Sequence, residues 1–196
     1  ILHNFLYEIC RCSGDWVMDN FIENTVKSLR EKIGDKNVIL GLSGGVDSSV
    51  AAGLLSRAVG DQLTCVFVDQ GLMRKDEGDF VEKTFTSLFD MKFIRVNCQE
   101  HFLKALKGVT DPEEKRKIIG TEFYKVFWEE IRKQDEKGYF AQGTIYPDCI
   151  ESGKGNADKI KTHHNKVKMP DDIEFLDIIE PLSSLFKDEV RRVGEK

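Results

Sequence analysis

A short apolar run that ends in two adjacent glycines is the feature that most restricts the fold of this chain. Residues Asn37–Leu42 read as a buried strand, Gly44 and Gly45 follow almost at once, and small and apolar residues recur at helical spacing from Ser48 to Val59. A strand, a tight loop and a helix in this order present backbone amides and the positive end of a helix dipole at one point. We therefore expect a loop that binds phosphate.

Similar units recur along the chain, because further apolar runs alternate with helical patterns. The other predicted strands are Leu63–Val68, Lys92–Asn97, Tyr139–Gln142 and Ile173–Ile179, and the other predicted helices are Ile1–Cys10, Trp16–Ile33, Asp76–Phe89, Pro112–Gln134 and a last helix that Ser184 would cap. Such alternation is typical of a parallel sheet with right-handed crossovers. We expect an α/β fold, Rossmann-like, with helices on both faces of a parallel sheet.

Composition excludes several classes of protein. The 196 residues suffice for one compact core, and 34 acidic against 29 basic residues give a net charge of −5. This balance does not favour nucleic acid or an anionic membrane as partner, and no apolar run approaches the ~20 residues of a membrane helix. The five cysteines include one close pair, Cys10 and Cys12, with no second pair to complete a zinc site. Free thiols in a cytoplasmic protein are the better interpretation.

The chemistry of the loop indicates a phosphate bound together with a metal ion. Its serine hydroxyls are neutral donors, but the carboxylate of Asp47 would repel a phosphate unless Mg²⁺ lay between them. The loop is not a Walker A motif, because no lysine follows the glycines, and it is not a G-x-G-x-x-G fingerprint. The alternative is a plain tight turn capped by Asp47 or Ser48.

The segment Ser43-Gly44-Gly45-Val46-Asp47-Ser48 resembles the PP-loop of the N-type ATP pyrophosphatases. That superfamily includes GMP, NAD, asparagine and argininosuccinate synthetases and tRNA-modifying enzymes. Five further blocks resemble GMP synthetases in the order of that family: 67–74, 108–120, 141–152, 161–165 and 180–191. The likeness runs from about Phe5 to the last residue and implies the fold of the adenine nucleotide alpha hydrolases.

The resemblance also implies the residues of a site for ATP and Mg²⁺. ATP would contact Leu42, Ser43, Gly44, Gly45, Val46, Asp47, Ser48, Ser49, Val68 and Met73. Asp47 would hold the Mg²⁺, and Lys187 would approach the β and γ phosphates and stabilise the departing pyrophosphate. For Leu42 and Val68 a role as plain core side chains is equally open.

A second set of residues would contact the substrate XMP. Arg116 stands at the position that contacts XMP in the family, and Asp148 and Glu151 would hold Mg²⁺ or orient the substrate from a loop after the fourth strand. A polar stretch resembles the mobile lid of the family and contributes Lys161, Thr162, His163, His164 and Asn165. Its continuation, Asn165–Pro170, has fewer glycines than the family pattern.

The family also implies further domains and partners. Residues 1–16 would be the join from an amidotransferase domain, residues 17–196 would form the ATP-pyrophosphatase domain, and a C-terminal dimerisation domain would follow in a homodimeric parent. The implied reaction is the adenylation of XMP with release of pyrophosphate, followed by amination to GMP with ammonia derived from glutamine. The isolated segment would be impaired in this reaction.

Two alternatives remain open. The chain could be another PP-loop enzyme, such as an NAD synthetase or a tRNA thiolase, although its negative charge and scattered cysteines disfavour the latter. It could also bind ATP without turnover, which Asp47 and Lys187 disfavour because a mere binder needs no groups for the departure of pyrophosphate.

Overall fold

The computed structural model describes residues 1–134, 138–151 and 174–196. Its helices are α1 (Met18–Ile33), α2 (Val46–Val59), α3 (Glu77–Leu88), α4 (Gln99–Leu106), α5 (Pro112–Arg132), α6 (Tyr146–Glu151) and α7 (Lys187–Gly194). Its strands are β1 (Val38–Leu42), β2 (Leu63–Asp69), β3 (Lys92–Asn97), β4 (Tyr139–Ala141) and β5 (Ile178–Ile179). A π-helical turn, Asn4–Ile9, and a 3₁₀ turn, Gly60–Gln62, complete the described elements.

The strands form one parallel sheet in the order β3-β2-β1-β4-β5. Side chains along each strand alternate between its two faces, because successive Cβ atoms of a strand point in opposite directions. Leu40 and Phe67 thus join a core with α1, α2, α3 and α7, whereas Ile39 and Val66 join a second core with α4 and α5. The prediction of a parallel sheet covered on both faces is confirmed.

The sheet has a topological switch point between β1 and β4, because the chain adds strands first on one side of β1 and then on the other. From β1 the chain adds β2 and β3 on one side, and it then returns through α4 and α5 to place β4 on the other side of β1. In open α/β sheets, ligands bind outside the carboxyl ends of the strands at such a switch point. The fold therefore directs attention to the residues that follow β1 and β4.

Several predicted elements need correction. The fifth strand is confined to Ile178–Ile179, so residues 174–177 do not belong to it. Ser184 does not cap the last helix: α7 begins at Lys187, and the carboxylate of Glu189 accepts a hydrogen bond from the backbone amide of Phe186 at 2.8 Å. The sequence pattern does not predict α4, whose eight residues bury only Phe102.

The first helix is also different from the prediction over Ile1–Cys10, since a π-helical turn occupies Asn4–Ile9 and none of its residues is buried. The second predicted helix is confirmed as α1, which begins at Met18. Among the described residues, no helix combines the length and apolar character needed to cross a membrane.

Candidate active site

The turn between β1 and α2 has the backbone conformation that its glycines predict. Gly44 has a φ of +76°, and a Cβ atom at this position would lie 3.3 Å from the Cε of Met73 and 3.4 Å from the Cγ2 of Val81. Both the left-handed conformation and the lack of space favour glycine. Gly45 is the N-cap of α2 and has no side chain to bond the first amides of the helix, which leaves them available to an anion.

Three serine hydroxyls hold this turn in shape. The Oγ of Ser48 lies 3.0 Å from that of Ser43, accepts a hydrogen bond from the backbone amide of Ser43 at 3.2 Å and donates to the carbonyl of Gly45 at 3.1 Å. Ser49 donates to the same carbonyl at 2.8 Å. The loop is therefore formed by its own hydrogen bonds, and little ordering would be required when a phosphate binds.

Asp47, in the first turn of α2, is paired with Lys187, the first residue of α7. The ammonium group of Lys187 donates to both carboxylate oxygens of Asp47 at 2.7 Å. The two residues are 140 positions apart in the chain, and their side chains are 28% and 42% exposed. The structure thus brings the two residues predicted to be catalytic into direct contact.

A cavity of about 540 Å³ opens beside this loop, at the switch point between β1 and β4. One side is formed by the ends of the strands and the phosphate loop, and the other by α5. Its lining consists of Gly41, Ser43, Asp47, Ser48, Gln70, Arg116, Ile119, Gly120, Phe123, Tyr124, Phe127, Phe140, Ala141, Gln142, Gly143 and Asp148. The volume falls within the range of sites for small molecules.

Arg116 faces this cavity from the first part of α5. Its side chain is 69% exposed and donates to Glu113 at 2.9 Å, one turn earlier on the helix. An exposed pair of this kind is weak, so the guanidinium can be released to a ligand at small cost. The structure brings Arg116 to the same cavity as the phosphate loop, although it follows Ser48 by 68 positions in the chain.

Asp148 also lines the cavity, but from a helix and not from the predicted loop. It occupies the first turn of α6, where its carboxylate accepts a hydrogen bond from the backbone amide of Ile145 at 3.1 Å. Pro147 precedes it in that first turn, a position that suits proline because no intrahelical amide bond is lost. Glu151 ends the same helix, and its side chain lies outside the described part of the chain.

The three residues proposed for the adenine pocket occupy different environments. Leu42 and Val68 are buried in the two cores, 1% and 4% exposed, as expected for plain core side chains. Met73 packs against Gly44 from the segment between β2 and α3. These three residues do not line the cavity of the switch point.

The aromatic wall of α5 was not predicted as part of the site. Phe123 and Phe127 stack with nearly parallel rings whose centroids are 5.8 Å apart, and Tyr124 lies next to them. Burial raises the pKa of Tyr124 to about 12, so its hydroxyl keeps its proton at neutral pH. The only sequence signal was the aromatic content of Glu122–Trp128, which a buried helix face explains equally well.

The strand end next to the site is held by a buried ion pair. Asp69, the last residue of β2, accepts from Arg95 of β3 at 2.7 Å and from the backbone amide of Gly71 at 3.1 Å. Burial by itself raises the pKa of Asp69, but the hydrogen bonds from Arg95 and Gly71 outweigh it, so the pKa lies below its usual value. This pair fixes the start of the segment that carries Gln70 into the cavity.

The predicted lid residues Lys161, Thr162, His163, His164 and Asn165 lie outside the described residues. Within the described ranges, no group of three or more His, Cys, Asp or Glu side chains is arranged to hold a metal ion. The oxygen donors of Asp47 and Asp148 nevertheless suit Mg²⁺, which usually takes one or two carboxylates and completes its shell with phosphate and water.

Comparison with known proteins identifies the family and the fold of this chain. The model of the NAD synthase family matches residues 17–121, which include the phosphate loop. Two solved structures share the fold: the NH₃-dependent NAD synthetase from Campylobacter jejuni, with a TM-score of 0.65 and 16% identity over 91% of this chain and 72% of that one, and the U34-tRNA thiolase NcsA from Methanococcus maripaludis, with a TM-score of 0.60 and 22% identity over 92% and 64%.

Curated relatives have much higher sequence identity. A glutamine-hydrolysing GMP synthase of Acetivibrio thermocellus is 63% identical over 194 residues, and that of Ruminiclostridium cellulolyticum is 59% identical over 196 residues. These alignments cover 99% and 100% of this chain but 38% of either relative, so the chain spans well under half the length of these proteins. The chain therefore belongs to the NAD synthase family of PP-loop ATP pyrophosphatases, and within it is similar to GMP synthases over nearly its whole length.

Proposed function

We propose that this chain is the ATP-using part of an enzyme that makes GMP, in which it adenylates XMP and releases pyrophosphate. The observation that carries the proposal is the cavity at the switch point, which joins the phosphate loop at Ser43–Ser48 to Arg116 and Asp148. The likeness to GMP synthases favours XMP among the substrates that PP-loop proteins use.

ATP would be held at both of its ends. The amides at the start of α2 and the hydroxyls of Ser43 and Ser48 would bind the β and γ phosphates, since these donors converge on one point. The family resemblance assigns adenine to the neighbourhood of Leu42, Val68 and Met73. The aromatic wall of α5 supplies flat apolar faces on which the purine of ATP or of XMP can stack, and we include Phe123 in the site.

XMP would enter from the side of α5. The guanidinium of Arg116 matches a phosphate or a purine oxygen in geometry and charge. Asp148 would help to orient the nucleotide, as would Glu151 and the lid residues Lys161, Thr162, His163, His164 and Asn165, which belong to this proposal through the family resemblance.

In the proposed reaction the C2 oxygen of the xanthine attacks the α-phosphorus of ATP, and the bond between the α and β phosphates breaks. The leaving pyrophosphate takes the bonding electrons, and the ammonium of Lys187 neutralises part of its charge. Mg²⁺ held by Asp47 and by phosphate oxygens would supply further neutralisation. Ammonia then attacks C2 and displaces AMP. Because the phosphoryl step is governed by position and charge, no nucleophilic side chain is needed.

The longer protein is part of the proposal. Residues 17–196 would be its ATP-pyrophosphatase domain and residues 1–16 the join from a domain that releases ammonia from glutamine; a further domain would form a homodimer. The whole would act in the cytoplasm on small molecules. We expect the 196-residue chain alone to bind ATP and to turn over XMP poorly.

The test is the release of pyrophosphate from Mg-ATP with and without XMP, with ammonium as the nitrogen source. XMP-dependent release that is lost in Asp47→Ala and kept in Asp61→Ala, an exposed aspartate just beyond the opposite end of α2, supports the proposal. If no pyrophosphate is released, binding of Mg-ATP is measured by calorimetry. Absence of Mg-ATP binding to the folded chain would overturn the assignment of the site.

A further inference from the structure

Asp47 has two possible cationic partners that compete for the same atoms. In the structure the ammonium group of Lys187 lies 2.7 Å from each of its two carboxylate oxygens. In the proposed function the same carboxylate holds Mg²⁺. The question is whether both cations can be accommodated at once.

The geometry indicates that they cannot. A Mg²⁺ ion binds carboxylate oxygen at about 2.0–2.1 Å, so an ion on either oxygen of Asp47 would lie less than about 5 Å from the ammonium. Two cations at that distance repel each other, and the repulsion is larger in a partly buried site than in bulk water. Asp47 is only 28% exposed, and solvent therefore screens this repulsion less than at an open surface.

Lys187 can change its partner without any movement of its helix. The start of α7 is fixed because the carboxylate of Glu189 accepts from the amide of Phe186 and from the indole of Trp16, both at 2.8 Å. The ammonium is carried on a flexible four-carbon stem and is 42% exposed. A phosphate bound at the start of α2 would offer it oxygens close to those it leaves.

We infer that Lys187 occupies the carboxylate of Asp47 until a nucleotide binds and then transfers to a phosphate, so that the metal site exists only together with the nucleotide. This inference rests on the proposed function, which supplies the nucleotide and the metal. Its consequence is an order of binding: the metal enters with ATP and does not bind first.

The experiment measures the binding of Mn²⁺ to the full 196-residue chain by the electron paramagnetic resonance signal of free Mn²⁺. Mn²⁺ replaces Mg²⁺ because it accepts the same oxygen ligands. Each protein is titrated without nucleotide and with α,β-methylene-ATP, which cannot be cleaved between its α and β phosphates. The Mn²⁺ that the analogue binds in a titration without protein is subtracted. Lys187→Met and Lys187→Gln remove the competing charge, Lys27→Met is the matched control at an exposed lysine of α1, and Lys187→Met/Asp47→Asn removes the proposed metal ligand.

Without nucleotide, we expect the two Lys187 variants to bind Mn²⁺ about tenfold more tightly than the wild type and Lys27→Met. The gain should vanish in the double variant. With the nucleotide analogue the wild type should bind Mn²⁺ tightly, whereas the Lys187 variants should need a higher concentration of the analogue. Circular dichroism checks that each variant is folded. Two replacements of Lys187 are used so that the test can still be made if one of them does not fold.

Two results would overturn the inference: equal Mn²⁺ affinity of wild type and Lys187 variants without nucleotide, or a gain that persists in the double variant. Failure of the proposed function gives a different pattern. In that case the wild type binds no Mn²⁺ with the analogue present, whatever the Lys187 variants do in its absence.

Discussion

Gly143 packs so closely against the first turn of α2 that a Cβ atom on it would lie 2.9 Å from the backbone nitrogen of Ser48. The contact joins the segment that follows β4 to the helix that presents the phosphate loop. It involves backbone atoms, which cannot rotate away as a side chain could. The distance between the phosphate loop and the segment after β4 is therefore set by the absence of a side chain at position 143.

We expect Gly143→Ala to weaken the binding of ATP and to lower the free energy of unfolding by about 1–3 kcal/mol, the usual cost of overpacking. Urea denaturation and calorimetric titration with ATP measure the two effects. Gly53→Ala is the matched control, since a Cβ atom there meets only the ring of Phe89 at 3.7 Å and alanine is the better helix former. A Gly143→Ala protein that binds ATP like the wild type would show that the contact does not set the site.

Replacement of Arg95 should expose the cost of a buried unpaired carboxylate. Arg95→Met leaves Asp69, whose side chain is 5% exposed, without its ionic partner, and should lower the free energy of unfolding at pH 7 by about 3–5 kcal/mol. The other partners of Arg95, Asp79 and Glu82, are 73% and 46% exposed and should contribute little. Arg191→Met, which removes only an exposed pair with Asp188, is the control.

The same pair predicts a dependence on pH. The pKa of Asp69 is lowered in the folded protein, so its ion pair stabilises the fold above the pKa of the unfolded chain, about 4, and the contribution is lost as the pH falls through the folded value. The difference between wild type and Arg95→Met should therefore shrink as the pH is lowered from about 4. A difference that stays constant over urea titrations from pH 7 to pH 3 would contradict the ionic origin of the effect.

The aromatic wall of α5 leads to a prediction about nucleotide affinity. Phe123→Leu keeps an apolar side chain but removes the flat ring, and we expect a loss of about 1 kcal/mol in binding of α,β-methylene-ATP or XMP, the low end for stacking of a base on an aromatic ring. Calorimetric titration with each nucleotide in turn measures the effect on the binding of the ATP analogue and the effect on the binding of XMP. Phe80→Leu, at a 70% exposed phenylalanine of α3 outside the cavity, should bind both as the wild type does. Unchanged affinities in Phe123→Leu would remove the ring from the site.

The cysteines should differ in reactivity according to their burial. Cys10 and Cys12 are exposed, whereas Cys65 is fully buried in β2 and burial raises its pKa to about 12. Because the thiolate is the reactive form, a thiol reagent at pH 8 should modify Cys10 and Cys12 first and should reach Cys65 only after unfolding. Cys65→Ala should lower the number of thiols that react in denaturant by one. It should leave unchanged the fast phase of the reaction, in which Cys10 and Cys12 are modified. A fast phase that shrinks in Cys65→Ala would contradict the buried position.

The sequence patterns predicted the long elements well and the short ones poorly. The strands that become β1 and β2 carry continuous apolar runs, since both faces of the sheet are buried there, and such runs can be recognised without the fold. By contrast, α6 has six residues and begins at Tyr146-Pro147, which reads equally well as a loop. Ser184 has the chemistry of a cap, but Leu185 is fully buried and the helix begins only after it, at Lys187. Tertiary packing therefore decided at which residue α7 begins.

By itself the sequence determined the local chemistry of the phosphate loop. Gly44 must adopt a positive φ and the serines must bond their own turn, and both depend on residues within a few positions of one another. The family resemblance added Arg116 and Lys187 as candidates for ligand contacts, but it did not show which residues of the chain lie next to them. Only the tertiary structure decided that Lys187 binds Asp47 across 140 residues and that α5 places Arg116 opposite the loop. The reason is physical: such contacts depend on the order of strands and on which face of the sheet each helix covers, and these follow from the burial of the whole chain.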